Sequence, residues 1–206
     1  MIRPDIEQYF DENAMSWVKD AYDEEGYNFP TGLHRTRIIN KVIAAAKKPM
    51  KIVDLGCGGG QLALDLAEKG HSTVGMDQCA EMIKICEDNR KKRSPEVQKR
   101  TAFVCSPLEN NTLEQGSFEA VTAMGVIYYF TDDLFFSVVN KLLKPGGIFM
   151  VSCRNRLFNM VSITHRTENE ISAGGALGLV EEIEALYEKV PVKEAEEFVK
   201  RLKGIT

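Results

Sequence analysis

Residues 52–70 read IVDLGCGGGQLALDLAEKG. Four glycines stand within five positions, 56 and 58–60, directly behind a short apolar run that carries an aspartate. Glycine loses more backbone entropy on folding than any other residue, so a cluster of it in ordered structure needs a reason. The neighbours supply one. KIVDL, from Lys51, is short, apolar and stopped by glycine, as a buried strand is. QLALDLAEKG alternates like a strand in its LALDL, yet it opens at the glycines and closes at Gly70 after a lysine, which are helix signals. The glycines therefore form a turn between a strand and a helix.

The pattern continues outward. STVGM is a second strand ending at Asp77, residues 79–93 a helix, TAFVC a third strand and EAVTAM a fourth. Leu134, Phe135, Val138, Val139, Leu142 and Leu143 make one face of a helix, which Lys144-Pro145-Gly146-Gly147 ends before a fifth strand, GIFMVSC. Strand–helix alternation five times over predicts an α/β fold: a doubly wound parallel sheet of about five strands with helices on both faces. Residues 1–48 are expected to form an aromatic-rich helical flank or lid, residues 49–153 the binding core, and residues 154–206 a helical segment that ends the same domain incompletely.

Composition bounds the function. The 206 residues suit one domain with a small appendage, and 44% hydrophobic with 27% charged residues is ordinary for a globular protein. A net charge of -4 gives no general reason to expect nucleic acid. The basic run from Arg90 to Arg100 is interleaved with Glu87, Asp88 and Glu96 and reads as a solvated helix end. No run of about 18 apolar residues predicts a span, so no membrane partner is expected. The start MIRPDIEQYFDEN is polar and acidic, unlike a signal peptide. Five cysteines without a Cys-x-x-Cys spacing point to a reduced, cytoplasmic protein without a metal site, with Cys79 and Cys86 in the core.

Open α/β sheets bind ligands at the carboxyl ends of their strands. There the glycine turn brings backbone N–H groups close to a ligand, and the next helix N-terminus favours negative charge. Asp77, at the end of the second strand, is placed to accept hydrogen bonds from two vicinal ribose hydroxyls. Glycine-rich first turn and acidic second-strand end together make a nucleoside-binding constellation.

The spacing Gly56-x-Gly58-x-Gly60 after Asp54-Leu55 is not the usual dinucleotide pattern. VDLGCGGGQLALDLAEKGHSTVGMDQCAEMI resembles the first two motifs of class I S-adenosylmethionine-dependent methyltransferases. FEAVTAMGVIYYFTDD resembles their fourth-strand motif and LLKPGGIFMVSC their fifth-strand signature. The resemblance covers about residues 36–153. It implies a Rossmann-like fold, S-adenosylmethionine as cofactor and S-adenosylhomocysteine as product. The backbone of Gly56, Cys57, Gly58 and Gly60 is expected at the methionine end, Asp54 near its amino group, Asp77 on the ribose and Gln78 beside the adenine. The usual aspartate after the third strand is missing, so Ser106 and Leu108 are expected to supply adenine contacts. Met124 and Gly125 are expected to border the methionine segment.

Methyl transfer asks mainly for alignment, which can be worth about 7–11 kcal/mol of barrier. An alcohol acceptor also needs a base. His34, Tyr128 and His165 are the catalytic candidates, and His71 reads as structural. Tyr129, Arg154 and Arg156 are candidates for the acceptor, the arginines as a clamp for an anionic group. The expected acceptor is small and polar; RNRLFNMVSITHRTENEI loosely resembles members encoded with surface-polysaccharide biosynthesis, which favours an oxygen of a sugar, sugar nucleotide or phosphorylated precursor. A catalytically silent, partner-binding subunit and an NAD(P)-dependent oxidoreductase are the rival readings. The family's antiparallel hairpin after the fifth strand is not legible in residues 154–206, which reads as a truncated chain. An open fifth strand would invite a covering segment or a second copy, a homodimer.

Overall fold

The computed structural model describes residues 4–23, 31–153, 171, 172 and 174. The chain divides into two compact units, residues 1–153 and 154–206. Expectations that fall on residues 154–170 and 175–206, namely the roles of His165, Arg154 and Arg156 and the missing hairpin, lie outside the described residues.

The first unit opens with two helices, α1 (Pro4–Tyr22) and α2 (Thr31–Ala44). Five strands follow, β1 (Lys51–Leu55), β2 (Ser72–Asp77), β3 (Thr101–Cys105), β4 (Phe118–Met124) and β5 (Leu143–Ser152). They form one parallel sheet in the order β3-β2-β1-β4-β5. Helices α3 (Gln61–Glu68), α4 (Ala80–Lys91), α5 (Pro95–Arg100) and α6 (Asp132–Leu142) connect them. The order reverses between β1 and β4, so the crevice for a ligand opens at their carboxyl ends.

Both faces are covered, and the strand period of two decides which side chain goes where. Val53, Leu55 and Val121 point to one face, under Phe135, Val138 and Leu142 of α6. Ile52 and Ala120 point to the other, against Ile39 and Ile43 of α2 and Leu62 and Leu66 of α3. Phe135 is fully buried; truncating such a ring to alanine costs about 3–5 kcal/mol. LALDL is helical because all three of its leucines find apolar cover only on a helix wedged between two clusters: Leu62 and Leu66 face α2, and Leu64 faces Val97 and Phe103.

Two local features differ from the sequence expectation. Residues 95–100 form their own short helix, capped by Ser94, whose hydroxyl accepts from the Val97 N–H at 3.5 Å, with Pro95 at its first position. Helix α6 does end before the Lys-Pro-Gly-Gly stretch, but β5 already begins at Leu143. The pairing jumps from Phe118–Leu143 to Ala120–Ile148. Pro145 and Gly146, the latter at φ 75°, thus fall in an irregularity where a strand tolerates a missing N–H.

Candidate active site

The glycine loop is tied to the end of β2. The N–H groups of Gly56 and Cys57 both donate to the Met76 carbonyl, at 2.7 and 3.0 Å. Asp77 then accepts from Gly58 N–H on Oδ2 (2.9 Å) and from Cys79 N–H on Oδ1 (3.0 Å). Its half-buried carboxyl is pushed up by desolvation, against the pull of those N–H donors. The loop ends at Gly60, which caps α3 in the left-handed conformation, φ 76°. A side chain there would be strained, and a Cβ would lie 2.7 Å from the Phe103 ring and 2.8 Å from Cys86 Sγ. Cys57 and Cys86 are free thiols with their sulfurs 3.9 Å apart, and the Cys86 thiol donates to the Gly58 carbonyl at 2.9 Å.

Asp54 is buried next to this loop. Its register partner on β4 is Thr122, whose hydroxyl donates to Oδ1 at 2.6 Å. Desolvation lifts the Asp54 carboxyl to about 7, with Thr122 pulling the other way and Asp77 adding repulsion. Among the described residues no cation pairs with it.

Beside it, at the end of β4, Gly125 takes φ 78°. A Cβ on Gly125 would lie 2.7 Å from Nη1 of Arg35 and 3.3 Å from Oη of Tyr128. The first turns of α2 therefore deliver a guanidinium to the crevice. Arg35 makes no ion pair among the described residues. Sequence reading missed it, naming its neighbour His34 instead; the signal available was a cation one helical segment ahead of β1. His34 is half-buried in the same turn and has a partner.

Aromatic residues cover the crevice from two sides. Tyr128 and Tyr129 follow β4 in a short 3-10 turn and meet edge to face at 4.5 Å. Phe10 of α1 meets Tyr129 at 6.3 Å and Trp17 at 5.9 Å. Trp17 and Val18 lie on the glycine loop: a Cβ on Gly58 would stand 3.1 Å from the indole, and one on Gly59 2.8 Å from Val18. Val126 covers Gly56 in the same manner. Tyr22, at the end of α1, hydrogen-bonds Thr36, and burial pushes its hydroxyl up to about 12.

The remaining sequence candidates fall as follows. Gln78 and Ser106 are half-buried next to Asp77, and Ser106 N–H donates to the Asp77 carbonyl at 2.9 Å. Leu108 is turned into the core cluster with Met76, Val121 and Phe135. Met124 packs against the α2–α3 cluster. His71 is structural as expected: it is buried, its Nδ1 accepts from the Met50 N–H at 3.2 Å, and burial lowers its basicity.

A parallel α/β sheet with a glycine turn after β1, a buried acid on β1 and an acid closing β2 defines a nucleoside-binding protein. The comparisons with known proteins narrow this. Residues 53–151 match the profile of a methyltransferase domain. That stretch, just under half of the chain, is similar to the methyltransferase domains of the class I S-adenosylmethionine-dependent family. The chain is 38% identical over 109 residues to the mitochondrial ubiquinone biosynthesis O-methyltransferase of Rattus norvegicus, covering 52% of this chain and 31% of that protein. It is 31% identical over 140 residues to the ubiquinone biosynthesis O-methyltransferase of Xanthomonas campestris pv. campestris, covering 66% and 56%. The chain thus spans about a third to just over half of these relatives. Among solved structures, a putative S-adenosyl-L-methionine-dependent methyltransferase from Methanococcus maripaludis shares the fold over 97% of this chain and 82% of its own, with a TM-score of 0.52 at 17% identity. The [4+2]-cyclase SpnF shares it over 71% and 58%, with a TM-score of 0.59 at 21% identity. Likeness at that level concerns the fold alone. Among the described residues no group of His, Cys, Asp and Glu could hold a metal ion, and no helix is long and apolar enough to cross a membrane.

Proposed function

We propose that the chain binds S-adenosylmethionine and transfers its methyl group to an oxygen of a small acceptor. The observation that carries this is a pair of groups of opposite charge near the glycine turn: the buried Asp54, which no cation among the described residues pairs with, and the Arg35 guanidinium at Gly125. An amino-acid end with an ammonium and a carboxylate fits two such groups. Asp77 fits the ribose. Its two oxygens each accept one backbone N–H and keep lone pairs for hydroxyl donors.

The cofactor, when bound, supplies a methyl group on a positively charged sulfur. The protein's part is to bind, orient and keep water out. Asp54 holds the ammonium, and Arg35 the carboxylate. Gly125 leaves the end of β4 open to close approach. Tyr128 stands with its hydroxyl toward Gly125 and is 40% exposed, so it is placed to orient an acceptor oxygen. Tyr129 and Phe10 offer ring edges to a flat acceptor. The names of the matched relatives support an oxygen acceptor; they lend no support to a sugar, and the segment that suggested one lies outside the described residues.

The test has two stages. S-adenosylhomocysteine at about 100 times its dissociation constant should stabilise the protein by about 2.7 kcal/mol, and NAD should not. Labelled methyl transfer is then followed on a catechol and on a free sugar, with transfer to the catechol expected. A thermal shift with NAD alone would overturn the cofactor assignment. Tight binding of the sulfur nucleoside with no transfer to either acceptor would favour the silent, partner-binding subunit.

A further inference from the structure

The outer face of α2 has a composition that the crevice does not explain. From Arg37 to Lys48 the chain holds four cations (Arg37, Lys41, Lys47 and Lys48) and no acid, in a protein of net charge -4. Every exposed position from 37 to 49 is either basic or apolar. Ile38 is 62% exposed and Val42 43%. They stand one helical turn apart, and Lys41 lies on the same side. The opposite side of α2 buries Thr36, Ile39 and Ile43, so the helix already has its place in the core and the apolar residues outside are surplus to folding. Lys41, Lys47 and Lys48 make no ion pair among the described residues.

We propose that this face of α2 adsorbs to an anionic phospholipid surface, with Ile38 and Val42 entering the headgroup boundary and Lys41, Lys47 and Lys48 reaching the phosphates. The charge is complementary to such a surface, and lysine stems cover apolar ground while their ammonium groups stay in the polar layer. Other occupants fit less well. Protein interfaces favour aromatic residues, Met and Arg in their core and are depleted in Lys. Single-stranded nucleic acid calls for aromatic platforms. The exposed positions of this face carry no aromatic residue. Surface adsorption needs no spanning helix. The proposal does not depend on the methyl-transfer reading.

The experiment is co-sedimentation of the whole chain with phosphatidylcholine vesicles, with and without phosphatidylglycerol. Binding is expected only with the anionic lipid, weakening as salt rises. Each lysine near an anionic surface is worth about fivefold in partitioning, so Lys41→Ala with Lys48→Ala should lower it at least about tenfold. Ile38→Ser with Val42→Ser should lower it further at high salt, where the apolar part remains. All four positions are exposed, so the circular dichroism of each variant should match the parent. Four outcomes would overturn the proposal: no binding to either vesicle, equal binding to both, variants that bind like the parent, or capture by poly-glutamate or RNA without capture by vesicles.

Discussion

Lys51 and Asp54 stand three residues apart on β1, at opposite ends of one strand, and their surroundings differ. Lys51 donates to Glu114 at 2.8 Å and to Ser117 at 3.1 Å, and its ammonium lies 5.0 Å from the Phe118 ring centre. Its own N–H donates to Glu119, which also pairs with Lys144. At that end charge meets charge, in contact with water. Asp54 is enclosed, with one hydroxyl donor and no described cation. One end of the sheet is already satisfied, while the other holds groups whose partners fit a ligand. That asymmetry separates what holds the fold from what the fold holds.

A change of pH acts on the two ends most unequally. The Asp54 carboxyl stands at about 7 in the folded chain against an ordinary 3.8. A carboxyl raised on folding keeps its proton longer in the native state. The contribution of Asp54 to stability is therefore full below about pH 4 and is lost as pH rises through 7, on the order of 4 kcal/mol. Asp65 and Asp77 are raised too and act with the same sign. The difference between the parent and Asp54→Asn, in urea unfolding of the ligand-free protein from pH 4 to 8, isolates this residue. The variant should be the more stable at pH 8 and should lose cofactor affinity. Parallel pH profiles would mean that Asp54 is not held as described.

Gly60→Ala should come next. Its left-handed backbone costs roughly 1–2 kcal/mol with a side chain, and the contact with Phe103 and Cys86 adds about 1–3 kcal/mol of overpacking. A drop in the urea midpoint of that size is expected, and an unchanged midpoint would mean the loop has room to relax. Asp77→Ala and Arg35→Ala each remove a charge-assisted bond to the ligand, so S-adenosylhomocysteine affinity should fall by about 1.5–3 kcal/mol in calorimetry. Asp77→Ala should also loosen the loop, because the carboxylate anchors Gly58 and Cys79. Smallest of all, Lys144→Ala at the opposite end breaks a partly exposed ion pair and should cost about 1 kcal/mol, with cofactor affinity untouched. A larger loss of affinity there would erase the distinction between the two ends.

Sequence made the site's backbone legible and left its side chains half-read. Glycine clusters and strand-end acids act through local geometry, so the turn of Gly56 to Gly60 and the place of Asp77 could be read from spacing, whereas the role of Asp54 came only with the family resemblance. Arg35 reaches Gly125 across 90 positions, and only the packing of α2 on β1 and β4 brings them together. The same holds for Trp17, part of the segment read as an aromatic-rich flank or lid, and for Val18, which that reading did not name; both lie directly on the glycine loop. Leu108 was expected at the adenine from the family resemblance; its apolar side chain packs into the core under α6. Short helix α5 was missed although Ser94-Pro95-Glu96 is a start signal, because the basic run around it reads as a fraying end.

The strand order has a kinetic consequence. β1 is at the centre, and its partner β4 arrives only after two other strands and three helices have been made; Thr122 and Asp54 are 68 residues apart along the chain. Contacts of such separation slow folding, because the loop must be gathered before any of them forms. The pair that completes the crevice is among the contacts that carry this cost. A refolding time course followed through S-adenosylhomocysteine binding should therefore run in step with the slowest spectroscopic phase, with no earlier, binding-competent species.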